Sequence, residues 1–315
     1  MAVVAIVGSG LVGRAWAIAF ARAGHEVRLY DETAGAAQKA IAFAREMAQP
    51  LEEEGLLEGQ SADQVIARLT PAPSLEAALA GATHVQENTP EDLTVKQKVF
   101  AALDAAAAPE TVLASSTSAI LPSKFTETLK GRGRCLVMHP INPPYLIPAV
   151  EIVPAPWTDP AAVEKTRALA VASGQAPIVM KRELDGFVMN RMQGALLEEA
   201  FRLVADGYAS VEDVDIGIRE GLALRWSFMG PFETIDLNAP GGVKDYAERY
   251  QQIYERLFPS MQRRVDWTGA VMRTVEEERR AKLPAGELPR RHLWRDRRLM
   301  ALIAHKRKSA REIGS

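Results

Sequence analysis

The chain has 315 residues, 47% of them hydrophobic and 25% charged, which is enough apolar material for a sizeable core and excludes disorder as its main state. At roughly 150 residues per domain the length suggests two domains, and 38 Lys plus Arg against 40 Asp plus Glu give a formal net charge of −2, with no global pull toward nucleic acid or an anionic membrane. A single cysteine, Cys135, excludes an internal disulfide framework and any multi-cysteine metal centre, so no metal site is expected and a reducing, cytoplasmic setting is.

Ala2 to Val7 is a short Val/Ile-rich run, the pattern of a parallel strand buried on both faces, with no basic stretch before it; no signal peptide is expected there. Gly8-Ser9-Gly10-Leu11-Val12-Gly13 follows, then an Ala-rich helix from Arg14 to Ala23 ended by Gly24, and a strand from Glu26 to Tyr30 that stops at Asp31. This is a βαβ unit. From Thr33 to Leu69 the pattern is helical and highly charged. Strand-like runs return at Thr83–Gln86, Thr111–Ala114, Arg134–Met138, Ala149–Val153 and Ala176–Met180, separated by helical segments such as Val95–Ala106 and 159–173. Such alternation predicts an α/β fold, a Rossmann-type doubly wound parallel sheet with helices on both faces. After Lys181 the strand signal fades. A long amphipathic helix from Gly186 to Ala205 and helical stretches at 211–220, 246–257, 268–282 and 292–308 predict an all-α C-terminal domain. The expected division is 1–184 and 185–315. The terminal stretch is basic, but its Leu293, Trp294, Leu299, Met300, Leu302 and Ile303 predict a docked helix rather than a nucleic-acid tail. No window of about 18 uninterrupted apolar residues occurs, so no membrane span is expected.

Gly8, Gly10 and Gly13 sit between a buried strand and a helix, and Asp31 ends the next strand about 20 residues on, which is the context a dinucleotide-binding turn requires. Gly8 permits the tight turn, Gly10 lets the backbone approach a pyrophosphate, and Gly13 allows close helix–strand packing. The helix N-terminus at Leu11 and Val12 offers free N–H groups to phosphates. Asp31 accepts hydrogen bonds from ribose hydroxyls and repels a 2′-phosphate, so NAD is expected over NADP.

A nicotinamide cofactor needs a proton-moving partner, and there are only five histidines. His25, His84, His292 and His305 occupy turn, strand and terminal-helix positions and read as structural or exposed. His139 directly follows a strand at its carboxyl end, where open α/β sheets bind ligands, and it enters the loop Pro140-Ile141-Asn142-Pro143-Pro144-Tyr145. Glu151 interrupts the apolar run Ala149–Val153, and a carboxylate in a buried strand needs a partner. Either His139 and Glu151 pair as a catalytic dyad, or they are a capping histidine and an edge-strand glutamate.

The glycine turn, Ser115-Ser116-Thr117-Ser118, the His139 loop, Glu151 and Gly186-Phe187-Val188-Met189-Asn190-Arg191 occur in that order, and with them the chain resembles the 3-hydroxyacyl-CoA dehydrogenase superfamily. With Gly221–Pro231 and Leu237-Asn238-Ala239 it looks most like the L-gulonate 3-dehydrogenase/lambda-crystallin branch. The resemblance implies an NAD-binding N-terminal domain, a substrate in the interdomain cleft and a homodimer formed through the helical domain. It also implies His139 as catalytic base, Glu151 as its partner, and Asn190 and Ser118 as groups that position the substrate hydroxyl and nicotinamide. Glu91 and Lys96, in Glu91-Asp92-Leu93-Thr94-Val95-Lys96, match a family segment beside the cofactor.

The substrate stays open between a free 3-hydroxy acid such as L-gulonate, a 3-hydroxyacyl-CoA thioester and carnitine. Arg225, in the apolar segment Leu222–Gly230, either holds a substrate carboxylate or pairs with Glu233 or Asp236. Tyr145 and Trp226 are available faces for the trimethylammonium group of carnitine. A non-catalytic, crystallin-like role is the remaining alternative, against which the intact His139/Glu151/Asn190 set argues.

Overall fold

The computed structural model describes residues 1–314. The chain divides into two compact units, one of Met1–Asn190 with Asp296–Ala304, the other of Arg191–Arg295 with the chain from His305 on.

The first unit is built on an eight-stranded sheet: β1 (Val3–Val7), β2 (Glu26–Tyr30), β3 (Leu69–Pro71), β4 (His84–Glu87), β5 (Val112–Ser115), β6 (Cys135–Pro140), β7 (Ala149–Pro154) and β8 (Ala176–Val179), in the order β3-β2-β1-β4-β5-β6-β7-β8. Side chains alternate between the two faces of a strand, and here both faces are covered. Val4 and Ile6 of β1 enter a cluster with Trp16, Phe20, Leu136, Met138 and Met300, whereas Ala5 and Val7 enter a second one with Phe100, Phe125, Val137 and Phe187. That two-sided burial is why β1 reads as a continuous apolar run rather than an alternating one.

The sheet departs from the all-parallel expectation at one place. β6 and β7 are antiparallel and all other neighbours are parallel. Only Ile141 to Pro148 joins them, too few residues for a crossover, so the chain must turn back. This turn sets His139 of β6 directly opposite Glu151 of β7. β3, with its Thr70-Pro71, is a three-residue edge strand that starts at Leu69, the last residue of the stretch whose sequence reads as helical; the helices in that stretch are Ala36–Glu53 and Ala62–Ile66.

After β1, β2 and β3 the chain crosses to the other side of β1 to lay down β4. The carboxyl ends of β1 and β4 therefore flank the point where strand order reverses, the usual crevice for ligands in open α/β sheets. Gly8 follows β1 there, and Asn88 follows β4.

The second unit is helical, with helices at Val211–Ile216, Gly242–Met261 and Ala270–Lys282 beside most of Met189–Ala205 and Leu288–Ile313. The terminal helix is shared. Met300 is buried in the first unit's core, and Leu299 and Ile303 pack against it, while Leu293, Trp294 and Leu302 are exposed. Among the described residues no helix is long and apolar enough to cross a membrane.

Candidate active site

The glycine turn has the geometry its residue types imply. Gly8 sits at φ +89°, where L side chains are strained, and a Cβ there would lie 2.8 Å from the Asn88 carbonyl. A Cβ on Gly13 would lie 1.9 Å from the Gly8 oxygen, so any larger residue would push the helix Leu11–Arg22 off the strand. Gly10 differs: a Cβ there would meet nothing within 4 Å. The chain's own packing gives no reason for glycine at that position, but a pyrophosphate approaching the helix N-terminus does. Leu11 is exposed, and Val12 lines a cavity with His139.

Asp31 closes the turn. Its carboxylate accepts the Ser9 N–H at 2.6 Å and the Thr33 N–H at 2.9 Å. With Gly8, Gly10 and Thr89 it lines a cleft of about 670 Å³. These residues suit a dinucleotide: an open glycine turn for the pyrophosphate and a fixed carboxylate for ribose hydroxyls.

A second cavity of about 390 Å³ is lined by His139, Ser118, Glu91, Lys96 and Asn142, among others. His139 Nδ1 lies 2.8 Å from Glu151 Oε2, and both side chains are buried. Glu151 Oε1 accepts the backbone N–H groups of Val188 (2.6 Å) and Met189 (2.9 Å), at the start of the helix Met189–Ala205. Those amides are aimed by Gly186 and by Phe187, a buried residue at φ +50° whose ring centroid lies 5.6 Å from that of His139. Burial pushes the Glu151 pKa up, but the bonds from His139, Met189 and Val188 outweigh it and hold the carboxyl below its ordinary value. An ionised Glu151 only accepts, so Nδ1 carries a proton and Nε2 keeps its lone pair in the neutral ring.

Asn190 Nδ2 donates to the Ser118 carbonyl at 2.7 Å, which brings these two residues together. Glu91 Oε1 accepts from Thr117 Oγ1 (2.6 Å) and from the N–H groups of Ser118 and Ala119 (both 3.0 Å). Burial raises its pKa, yet the bonds from Thr117, Ala119 and Ser118 with the Lys96 charge bring it below its ordinary value. Lys96 is 1% exposed, and its ammonium donates to both oxygens of Glu87, at 2.8 and 3.0 Å, and to the Thr89 carbonyl at 3.0 Å. Glu87 escaped the sequence reading. It is wholly buried at the end of β4 and also takes a 2.6 Å bond from Ser115 Oγ. Its signal was an acid closing a strand nine residues before a lysine.

Arg225 belongs to the second unit. It pairs with neither Glu233 nor Asp236; its contact is the Asn238 amide oxygen at 3.4 Å. Asp236 instead accepts the Val243 N–H. Tyr145 offers no face to a ligand, because its ring is buried in the core and its hydroxyl lies 3.4 Å from Asp296 Oδ2. Trp226 is partly exposed.

Residues 3–183 match the 3-hydroxyacyl-CoA dehydrogenase NAD binding domain, and residues 186–278 match the 3-hydroxyacyl-CoA dehydrogenase C-terminal domain. The chain is 41% identical to lambda-crystallin of Oryctolagus cuniculus over 307 residues, 96% of each chain. It is 41% identical to L-carnitine dehydrogenase of Streptomyces griseus over 248 residues, 78% of this chain and 73% of that one. Among solved structures it is similar to an NAD+-dependent 5-formyl-3-hydroxy-2-methylpyridine 4-carboxylic acid 5-dehydrogenase, with a TM-score of 0.81 at 27% identity over 98% of both chains. Matched over both its halves, the chain belongs to the 3-hydroxyacyl-CoA dehydrogenase family.

Proposed function

We propose that the protein oxidises the 3-hydroxyl of a small free 3-hydroxy acid, L-gulonate or a similar compound, to the 3-keto acid with NAD. The observation that carries this reading is the His139–Glu151 pair, with a ring nitrogen left uncommitted beside a cavity that Ser118 also lines. Gly8, Gly10, Leu11, Val12, Gly13 and Asp31 hold the dinucleotide, with Glu91 and Lys96 shaping the wall beside it. Asp31 favours NAD over NADP, since a 2′-phosphate would meet its carboxylate. Bound NAD supplies the acceptor for the hydride that leaves C3. His139 Nε2 takes the hydroxyl proton, and the resulting imidazolium is stabilised by Glu151 through Nδ1; in the reverse direction the imidazolium returns that proton. Ser118 and Asn190 orient the reacting oxygen, where charge develops.

A free acid is favoured over a thioester by Arg225, whose guanidinium has no carboxylate within ion-pair distance among the described residues and is available for a substrate carboxylate. Carnitine loses support at Tyr145, which is buried. Large exposed side chains on the helical unit support a homodimer.

The test is a steady-state screen with NAD and NADP against free 3-hydroxy acids, their CoA thioesters and carnitine. Turnover of free acids with NAD is expected, and Arg225→Met should raise KM for the acid far more than for NAD. Turnover confined to thioesters or to carnitine would replace the substrate assignment. NAD binding without turnover on any of them would replace the enzymatic reading by a binding role.

A further inference from the structure

Gln86 is a fully buried amide in β4. Its nitrogen donates to the Met138 carbonyl at 3.0 Å and to Ser116 Oγ at 2.7 Å. A carbonyl only accepts, so the amide orientation is fixed and its oxygen faces His84 Nε2 at 3.0 Å. His84 therefore carries its proton on Nε2. Asn88 is oriented in the same way: Nδ2 donates to the Gln86 carbonyl at 2.8 Å, which leaves Oδ1 to accept from Ser116 Oγ at 2.7 Å. The Ser116 oxygen also accepts Trp16 Nε1 at 3.1 Å. Two backbone carbonyls thus impose one arrangement of protons on the whole chain of groups. Ser116 is saturated, with one proton given and two accepted, and so is the Gln86 amide nitrogen.

One donor stays open among these side chains, the second N–H of Asn88. This residue follows β4 at the strand-order reversal, opposite Gly8, and lines both the cleft that holds Asp31 and the cavity that holds His139. A dinucleotide that reaches from one to the other passes it.

We infer that Asn88 is a cofactor-binding residue, whose open N–H is donated to an oxygen of the dinucleotide on the nicotinamide side of the pyrophosphate, and that Gln86 and Ser116 are the positioning residues that aim it. This assignment rests on the NAD reading above. It is tested by the affinity of wild type, Asn88→Ala, Gln86→Leu and the double variant for NADH, read by nucleotide fluorescence, and for ADP-ribose and AMP, read by competition. Asn88→Ala should weaken NADH and ADP-ribose about three- to tenfold, the loss of one hydrogen bond, and leave AMP within about twofold. Gln86→Leu should weaken the same two ligands, and the double variant should bind no worse than the poorer single one. Unchanged NADH affinity in Asn88→Ala, or an equal loss for AMP, would overturn the role of Asn88. Additive losses would overturn the positioning by Gln86. Asn88 is only partly buried, so Asn88→Ala carries the test if Gln86→Leu does not fold. A wild-type protein that fails to bind NADH would instead sink the dinucleotide reading itself.

Discussion

In the reaction proposed above, Glu151 is what makes His139 usable as a base. It fixes the ring through Nδ1 and is itself held by two helix-start amides, so neither side chain has freedom to leave the pair. His139→Gln should leave NADH affinity within about twofold and lower turnover by at least about 100-fold, because general acid–base help is typically worth 10² to 10⁴. Near-normal turnover would remove His139 from the reaction. The pair was legible in the sequence only as one of two readings: a carboxylate in an apolar strand demands a partner and His139 was the economical one, but a capping histidine and an edge-strand glutamate fitted the spacing equally well. Glu87 was not, since its need is met by Lys96, a residue whose spacing also suits a solvent-facing helix position. The environment of Arg225 was equally illegible: whether a guanidinium meets Glu233, Asp236 or an amide depends on helix turns that spacing alone does not resolve.

Strands announced themselves where both faces are buried, since an uninterrupted Val/Ile run has few other uses. β3 was lost because three residues ending in proline carry almost no periodicity, and the β6–β7 reversal was hidden because strand direction leaves no mark on composition. β4 shows what such reading omits: of His84-Val85-Gln86-Glu87 only Val85 is apolar, yet all four are buried, with Gln86 and Glu87 satisfied by the networks described above. Burial lowers the His84 pKa to about 4, below the ordinary 6.5. As pH falls from about 6.5 to about 4, the unfolded chain takes up a proton at this position that the folded one refuses, so stability should fall across that window and level off below it, by up to about 3 kcal/mol from this group. Glu151 and Glu91, held below their ordinary value of 4.5, begin to weaken the fold only at the acid end of that window and go on doing so below it. Urea midpoints from pH 7 to pH 4 measure this. His84→Gln, which keeps a donor toward Gln86, should be less stable at pH 7 but show a shallower slope; an unchanged slope would assign the acid sensitivity elsewhere.

At the scale of the molecule, the two-unit organisation follows from where strands stop and helices continue, but the return of Asp296–Ala304 to the first unit does not. The terminal helix divides its apolar residues between burial, at Met300, and exposure, at Leu293 and Trp294, and periodicity cannot tell which turn meets which core. The helical unit also leaves large apolar side chains in solvent, with Tyr208 and Phe232 each 78% exposed and Phe228 70%. Side chains of this size cost about 1.5 to 3 kcal/mol each when left in water, and a self-complementary two-fold contact, as proposed above, would cover them in both copies at once. The 34.4 kDa chain should therefore sediment at twice its mass, and Phe228→Asp with Phe232→Asp should sediment at the single mass, since a stable contact cannot bury two unpaired carboxylates per copy. Because both positions are exposed, the double variant should keep the thermal midpoint of the isolated fold. A wild-type monomer, or a double variant that remains dimeric, would place the contact on another face or remove it.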